Sequence, residues 1–210
     1  MYPKSFLRAW DDRNGASIVY VLKGVYLLGP VVFSGPCRGG GTFDGQVPFA
    51  WQFNTCTKDI NCKPLPISLK CNSMTNFRIE YLRSVNSKQT HISFLRCENV
   101  NVSNVEVLAP SDSPSTDGIK MRRSTDIRIS NNRISTGDDC VAILCGSSNI
   151  DVFKFRCSLC SFECSKKFPC KNIVLPDINF VNSKREVSLK SLCSNVIGRS
   201  FGLQSLLPCF

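Results

Sequence analysis

The sequence has no long apolar run and no recognisable export signal. A membrane-spanning helix needs about 20 consecutive apolar residues. The best candidate, IVYVLKGVYLLGPVVF at 18–33, is interrupted by Lys23, Gly24 and Gly29 and indicates short strands joined by turns. The first residues, MYPKSFLRAWDDRNG, lack the apolar segment and small-residue cleavage site of a secretory signal. We therefore expect no membrane partner, and these residues do not predict export from the cell.

Positive charge is in excess, but it is not arranged as in a nucleic-acid-binding module. The formal net charge is +10, which favours an acidic partner such as nucleic acid, anionic lipid or an acidic polysaccharide. The densest basic runs, MRR at 121–123 and SKK at 165–167, are short and typical of solvated faces. No basic motif interleaved with aromatic residues is present. We therefore expect no nucleic-acid partner.

Cysteine is abundant, with 13 residues in a chain of 210. So many thiols indicate metal or redox chemistry in a cytosolic chain and disulfides in a secreted one. Cys157, Cys160, Cys164 and Cys170 could form a zinc site, since four thiolates satisfy a tetrahedral ion. Their spacings, with two, three and five intervening residues, do not match the paired knuckles of zinc ribbons. We therefore predict no bound metal.

A short sequence motif recurs along the chain: a polar residue, then Asn or Asp, then alternating apolar and other residues. Successive copies are 23, 27, 23, 23 and 23 residues apart. Such a period, with strand-like alternation in each unit, predicts a parallel β-helix. An antiparallel sandwich is the alternative, but its turns recur about every 8 to 12 residues. The second residues of the motif copies are Asn76, Asn99, Asp126, Asn149, Asn172 and Asn195.

The repeat and the composition together predict a single all-β domain over residues 1–210, since 42% apolar content supports one ordinary core. Residues one period apart should lie about 4.8 Å apart on adjacent coils. The recurring Asn side chains can then hydrogen-bond between coils while their backbones occupy left-handed turns. The segment PKSFLRAWDD at 3–12 has helix-compatible spacing and is predicted to form a short N-terminal helical cap.

Two acidic motifs are separated by nearly one period. Asp138 and Asp139 lie in STGDDC at 135–140, and Asp117 lies in STDGI, 21 residues before Asp138. The period predicts that the three carboxylates meet on adjacent coils. Like charges held so close cannot all ionise at neutral pH, so one proton is retained and the group divides into an acid and a base. Glycoside hydrolysis needs such a proton donor beside a carboxylate that activates water.

STDGI followed by STGDDCVAI resembles the acidic motifs of glycoside hydrolase family 28, the polygalacturonases. Longer stretches, among them KGVYLLGPVVFSGPC, VLAPSDSPSTDGI and PCKNIVLPDINF, are similar to plant pollen-type exopolygalacturonases. The resemblance implies a right-handed parallel β-helix of the pectin-lyase-like type and inverting acid/base hydrolysis of α-1,4-linked galacturonan, without a cofactor. It implies Asp138 as the general acid, and Asp117 and Asp139 as the residues that position and activate water.

The same resemblance implies a compartment, a partner and a set of disulfides. The chain would be a secreted monomer of the cell wall, and its partner would be an acidic polysaccharide, the homogalacturonan of pectin. The first of the implied disulfides would close one coil beside the carboxylates. The implied pairs are Cys140 with Cys157, Cys164 with Cys170, and Cys193 with Cys209.

The chain also departs from the family pattern. The family's Gly-His-Gly motif, and its Arg-Ile-Lys motif whose cations hold the sugar carboxylate, have no counterpart here, and segments are missing near 37–40 and 157–160. We expect His91 to be a groove or packing residue with at most weak substrate contact. Lys120 is a second weak candidate for substrate binding, and we expect it to pair with Asp117.

Three functions remain open at this point. The first is a working polygalacturonase. The second is an inactive remnant of such an enzyme that at most binds pectin. The third is a Ca²⁺-dependent binding or lyase-like site, since clustered carboxylates suit a hard cation.

Overall fold

The fold is a parallel β-helix, as predicted from the repeat. The computed structural model describes residues 41–45, 49–52, 61–62, 64–157, 160–180 and 192–202. Within these residues the chain forms three six-stranded parallel sheets, here called sheets A, B and C. A one-turn helix, α1 (Phe49–Gln52), follows the first strand. The helical cap predicted at 3–12 lies outside the described residues, and none of the described helical structure is long and apolar enough to cross a bilayer.

Each coil passes through sheets A, B and C in turn. Sheet A contains β1 (Gly41–Asp44), β4 (Leu82–Val85), β7 (Glu106–Leu108), β10 (Arg133–Ser135), β13 (Phe155–Cys157) and β16 (Ile178–Phe180). Sheet B contains β2 (Leu69–Asn72), β5 (Ile92–Leu95), β8 (Ile119–Arg122), β11 (Val141–Leu144), β14 (Cys160–Glu163) and β17 (Leu192–Ser194). Sheet C contains β3 (Thr75–Glu80), β6 (Glu98–Ser103), β9 (Thr125–Ser130), β12 (Ser148–Phe153), β15 (Cys170–Pro176) and β18 (Val196–Phe201).

The core consists of aliphatic stacks that run along the helix axis. Successive side chains of a strand face opposite sides, so alternate residues point inward. In sheet C, Val100, Ile127 and Ile150 pair in register on successive coils, and each is at most 2% exposed. Arg128, next to Ile127 on the same strand, is exposed. Burying one such aliphatic side chain contributes about 1.5–3 kcal/mol, so a shift of register would be costly.

The recurring Asn and Asp residues stand near the start of the sheet C strands, in the left-handed conformation. Their φ values lie between 52° and 56°, a region that Asn and Asp tolerate better than other non-glycine residues. Nδ2 of Asn99 donates to Oδ1 of Asn76 at 2.7 Å, and Nδ2 of Asn149 donates to Oδ1 of Asp126 at 2.8 Å. Asn172 donates to Asn149 in the same way at 3.0 Å. The predicted side-chain ladder is confirmed for these pairs.

Two positions interrupt the ladder. Asp126 accepts a hydrogen bond from Asn149, but an ionised carboxylate has no proton to donate to Asn99 on the preceding coil. The period predicts Asn195 as the next rung, and this prediction is wrong. The last sheet C strands pair Lys171 with Ile197, 26 positions on, so Asn195 leaves the row and its Nδ2 donates to the Cys164 carbonyl at 2.7 Å.

The length of a coil varies mainly at the corner between sheets A and B. This corner comprises residues 86–91, 109–118 and 136–140 in three successive coils. The longest of the three produces the single 27-residue interval of the repeat, since Glu98 pairs with Thr125 across that coil. Extra residues are therefore accommodated at a corner without loss of strand pairing. The acidic motifs lie at two of these corners.

The coil that includes β14 combines two changes of length. Val141 of sheet B pairs with Cys160, 19 positions on. In sheet C, Ser148 pairs with Lys171, 23 positions on. Relative to a 23-residue coil, the chain is four residues shorter before β14. The corner of residues 164–169 between β14 and β15 adds these four residues back. Parallel pairing consequently continues through this coil.

The interrupted ladder generates a stability prediction. Asp126→Asn should supply the missing donor to Asn99 and keep the acceptor for Asn149 in the same left-handed turn. Because the site is exposed, we expect a gain of about 0.5 kcal/mol in the free energy of unfolding. Asn149→Ala, which removes a donor and an acceptor, should instead cost about 1–2 kcal/mol. Guanidinium unfolding of both variants measures this, and a loss of stability in Asp126→Asn would contradict the prediction.

Candidate active site

Three carboxylates converge where the corner from sheet A enters sheet B. Asp117 lies two residues before β8. Asp138 and Asp139 lie three and two residues before β11. The Gly118 N–H donates to the Asp139 carbonyl at 2.7 Å, which places Asp117 and Asp139 at equivalent positions of adjacent coils. One oxygen of each carboxylate lies within 4.8 Å of the others. The structure thus brings together the three aspartates, as the period predicts.

Gly137 allows the two acidic corners to approach each other closely. A Cβ at this position would collide with the backbone of Ser113, so a larger residue would push the corners apart. The hydroxyls of Ser113 and Thr116 lie 2.5 Å apart, and Thr116 Oγ1 accepts a hydrogen bond from the Gly137 N–H at 3.2 Å. A Cβ at Gly118 would likewise collide with the side chain of Ile134. The glycines of both motifs are therefore needed for close packing.

Asp117 is buried, at 4% exposure. Its Oδ2 accepts hydrogen bonds from Thr90 Oγ1 at 3.0 Å and from the ammonium of Lys120 at 2.7 Å. The expected pairing of Lys120 with Asp117 is therefore present. The Lys120 side chain is 38% exposed, so it lies between the carboxylate and solvent. Its positive charge offsets part of the cost of burying the Asp117 carboxylate.

Asp138 and Asp139 are half-buried, and the pKa of each is raised. Burial and the Asp117 charge raise the pKa of Asp138, although the Asp139 N–H donates to its Oδ1 at 2.9 Å. Burial is also the main cause that raises the pKa of Asp139, to about 6, against the opposing effect of a 2.5 Å hydrogen bond from Ser161 Oγ. The adjacent pair therefore retains a proton in mildly acidic solution, so an acid and a carboxylate can coexist in the cluster.

Two hydroxyl residues of the site were not predicted from the sequence. Ser161 on β14 lies 22 positions after Asp139, the interval that also separates Asp117 from Asp139. Thr90 lies 27 positions before Asp117, the interval that also separates the paired residues Ile92 and Ile119. Applying the 27-residue interval backwards from Asp117 would have found Thr90. Ser161 could not have been found in this way, because sheet B pairs it with Ala142, 19 positions before it, and not with Asp139. Serine and threonine are frequent in this chain, so neither residue stands out without its position on the coil.

His91 faces the core and not the carboxylate cluster. Its side chain is completely buried, and Nδ1 lies 2.8 Å from the hydroxyl of Ser84. Burial lowers the pKa of His91 to about 4, so the imidazole is neutral. The structure therefore places His91 as a packing residue and corrects the expectation of a weak substrate contact, because the position just before β5 points inward.

The predicted disulfide between Cys164 and Cys170 is present, with a Cα–Cα distance of 5.8 Å. It closes the long corner that restores the sheet C register. With these two sulfurs joined, the four-thiolate zinc alternative is not available. Cys193 is also disulfide-bonded, whereas its predicted partner Cys209 lies outside the described residues.

Cys140 departs from its predicted pairing with Cys157. It carries a thiol in the structure, buried in the core and directed toward the Ile134 carbonyl at 3.8 Å. The position directly before β11 faces inward, which turns this sulfur away from the surface. The side chain of Cys157 lies outside what the structure describes.

The chain belongs to the Glycosyl hydrolases family 28, whose profile matches residues 23–160. An exopolygalacturonase of Arabidopsis thaliana is 33% identical over 192 residues, which cover 73% of this chain and 46% of that protein. An exopolygalacturonase of Platanus acerifolia is 29% identical over 225 residues, covering 88% of this chain and 57% of that protein. The chain thus spans about half the length of these plant relatives.

Two solved structures share the fold. The endo-xylogalacturonan hydrolase of Aspergillus tubingensis matches with a TM-score of 0.60 and 24% identity, over 77% of this chain and 46% of that one. The polygalacturonase of Erwinia carotovora matches with a TM-score of 0.58 and 22% identity, over 67% and 43% of the two chains. At these identities the likeness supports the β-helix architecture.

The raised pKa of Asp139 generates a prediction on stability and pH. Its folded-state pKa of about 6 lies above the usual 3.8, so the folded state binds the proton more tightly than the unfolded state. The resulting stabilisation is fully present below about pH 4 and is lost as the pH rises through about 6. Asp139→Asn, which keeps an acceptor for Ser161, should therefore melt a few degrees above the parent chain at pH 7.5.

This difference in melting temperature should shrink as the pH falls toward 4, where Asp139 of the parent chain is protonated. Asp112→Asn, which removes an exposed carboxylate, is the matched control and should show no such pH-dependent difference. A difference for Asp139→Asn that is the same at pH 4 and pH 7.5 would contradict the raised pKa.

Proposed function

We propose that this chain hydrolyses an acidic polysaccharide, the α-1,4-linked galacturonan of pectin, by acid/base catalysis. The observation that carries the proposal is the convergence of Asp117, Asp138 and Asp139 within 4.8 Å on a family 28 β-helix. The names of the plant relatives and the net charge of +10 support a polyanionic substrate. The proposal extends to a secreted, monomeric cell-wall protein that forms one domain over residues 1–210 and uses no cofactor.

Asp138 is the proposed general acid. Its pKa is raised, and in the described part of the chain the donor to its carboxylate is the backbone N–H of Asp139. For this role the proton that the pair retains has to lie on Asp138, with Asp139 ionised although its pKa is raised to about 6, when the substrate is bound. Asp138 then delivers this proton to the leaving glycosidic oxygen. Asp117 and Asp139 stand side by side on adjacent coils and are proposed to hold and activate the water. Their orientation is fixed by hydrogen bonds to Oδ2 of each carboxylate.

A second function, binding of pectin without turnover, is favoured by the ion pair between Asp117 and Lys120. The ammonium lies 2.7 Å from Oδ2 of Asp117, so this oxygen is already occupied and cannot also bind the attacking water. The three carboxylates also suit Ca²⁺, although the Lys120 ammonium competes for Asp117. The two functions differ in a direct test, because binding alone produces no new reducing ends.

Hydrolysis should depend on Asp138. Purified chain should release reducing ends from polygalacturonate, and Asp138→Asn should lower the rate by about 10²–10⁴-fold, the usual contribution of general acid-base catalysis. Asp112→Asn, an exposed aspartate on the neighbouring corner, is the matched control and should leave the rate unchanged. The measurement is the initial rate of reducing-end formation, with and without a chelator.

Other outcomes of this experiment would replace the proposal. Binding of polygalacturonate with no reducing ends above background would establish the second function. Unsaturated products that appear only with Ca²⁺ would establish elimination in place of hydrolysis. An equal rate for the parent chain and Asp138→Asn would remove Asp138 from the chemistry.

The stereochemistry of the product is a separate prediction. The carboxylate oxygens lie within 4.8 Å, closer than the roughly 6.5–9.5 Å between the carboxyl groups of inverting glycosidases in general. We still propose inversion, because the donors to Asp117 and Asp139 occupy Oδ2 of each, which leaves Oδ1 of both for one shared water. Proton NMR of the first product should show the β-anomer. Initial appearance of the α-anomer would indicate a carboxylate nucleophile and contradict inversion.

A further inference from the structure

The outer face of sheet B carries two rows of side chains that run along the helix axis beside the carboxylates. Strand register aligns each row coil by coil. The first row consists of Lys70, Ser93, Lys120, Ala142 and Ser161. The second row consists of Asn72, Leu95, Arg122, Leu144 and Glu163. The surface therefore changes from basic on the earlier coils to neutral and acidic on the later ones.

The corner from sheet B to sheet C adds two more cations to the basic end. Arg96 and Arg123 occupy left-handed turns with φ of 55° and 52°. They stand on adjacent coils, since Ile92 to Leu95 pair with Ile119 to Arg122 in the strands that precede them. Both side chains are exposed. We define the cationic track as Lys70, Arg96, Arg122 and Arg123.

The members of the cationic track have no acidic partner among the described residues. All four are exposed, and the ion pairs in the described part of the chain involve other cations. Three arginines on sheets A and C, in contrast, are paired: Arg83 and Arg133 with Glu106, and Arg128 with Asp151. Four unneutralised cations on sheet B and its corner toward sheet C produce a local positive potential that attracts an anion with several charges.

We propose that the cationic track holds the carboxylates of the polysaccharide whose scissile bond lies at the aspartate cluster, so that the bound chain extends from the cluster toward the earlier coils. This rests on the proposed function, which it deepens by naming the binding residues and the direction. Arg122 stands two residues from Lys120 on the same strand and face, and Lys120 contacts Asp117 at 2.7 Å. The track therefore begins beside the aspartate cluster.

The spacing of the track fits a polymer with repeated negative charges. Adjacent coils lie about 4.8 Å apart, so Lys70 and Arg122, on strands two coils apart in sheet B, are about 10 Å apart along the axis. Ser93 and Leu95 lie between them on the intervening strand and offer a hydroxyl and an apolar surface. Arginine binds carboxylate through two parallel N–H donors, which favours an acidic over a neutral sugar chain.

The test is binding of a hexamer of galacturonic acid to the Asp138→Asn protein, which removes turnover from the measurement. Arg122→Gln with Arg123→Asn is the informative double variant, since Asn tolerates the left-handed turn at position 123. We expect about tenfold weaker binding at low salt, because two charge-assisted hydrogen-bonding groups are lost. Arg78→Gln with Lys171→Gln removes two exposed cations from sheet C and should change the affinity less than about twofold.

The outcomes separate this inference from the proposed function. Equal weakening by both double variants would show a general effect of net charge and overturn the track. No effect of Arg122→Gln with Arg123→Asn, while the parent chain still hydrolyses polygalacturonate, would overturn the track and leave the proposed function intact. If the parent chain neither binds nor hydrolyses polygalacturonate, both the track and the proposed function are overturned. A neutral galactan oligomer that binds as tightly as the acidic hexamer would also overturn the track.

Discussion

The site depends on the hydrogen bonds between parallel strands of successive coils. The same backbone ladder that builds the sheets places Asp117 beside Asp139, through the Gly118 N–H and the Asp139 carbonyl at 2.7 Å. The carboxylates repel one another, so their proximity is imposed by the backbone and not by mutual attraction. Glycine at position 137 permits the close approach, and Lys120 and Ser161 supply the donors that make it tolerable.

The sequence was most informative where a residue has a partner one period away in an equivalent position. The Asn repeat and the acidic motifs satisfy this condition, so the coils, the side-chain ladder and the meeting of the three aspartates could be predicted. Asn195 fails the condition, because the last sheet C strands pair Lys171 with Ile197, 26 positions on, whereas the recurring motif keeps its 23-residue interval. The inward orientation of His91 could not be read from its neighbours, since a single residue before a strand has no periodic pattern to fix its side.

Charge acts on two scales in this protein. The net charge of +10 describes how the molecule attracts anions at a distance, and it is screened beyond about 8–10 Å in physiological salt. At the aspartate cluster, the balance is set by individual contacts: one ammonium on Asp117, one hydroxyl on Asp139 and a backbone N–H on Asp138. A polyanion would therefore meet a positive face before it reaches a negative cluster, and the proton that the Asp138–Asp139 pair retains in mildly acidic solution would reduce the repulsion at close range.

The coil that includes β14 can be described in the language of crystal defects. A solenoid is a one-dimensional lattice whose unit cell is one coil, and the four residues lost before β14 and regained before β15 are two dislocations of opposite sign. Because they cancel within one unit cell, sheet A keeps its pairing of Arg156 with Asn179 across this coil. The disulfide between Cys164 and Cys170 closes the second defect. A lattice of this kind can change the length of one unit cell and keep parallel pairing in the next.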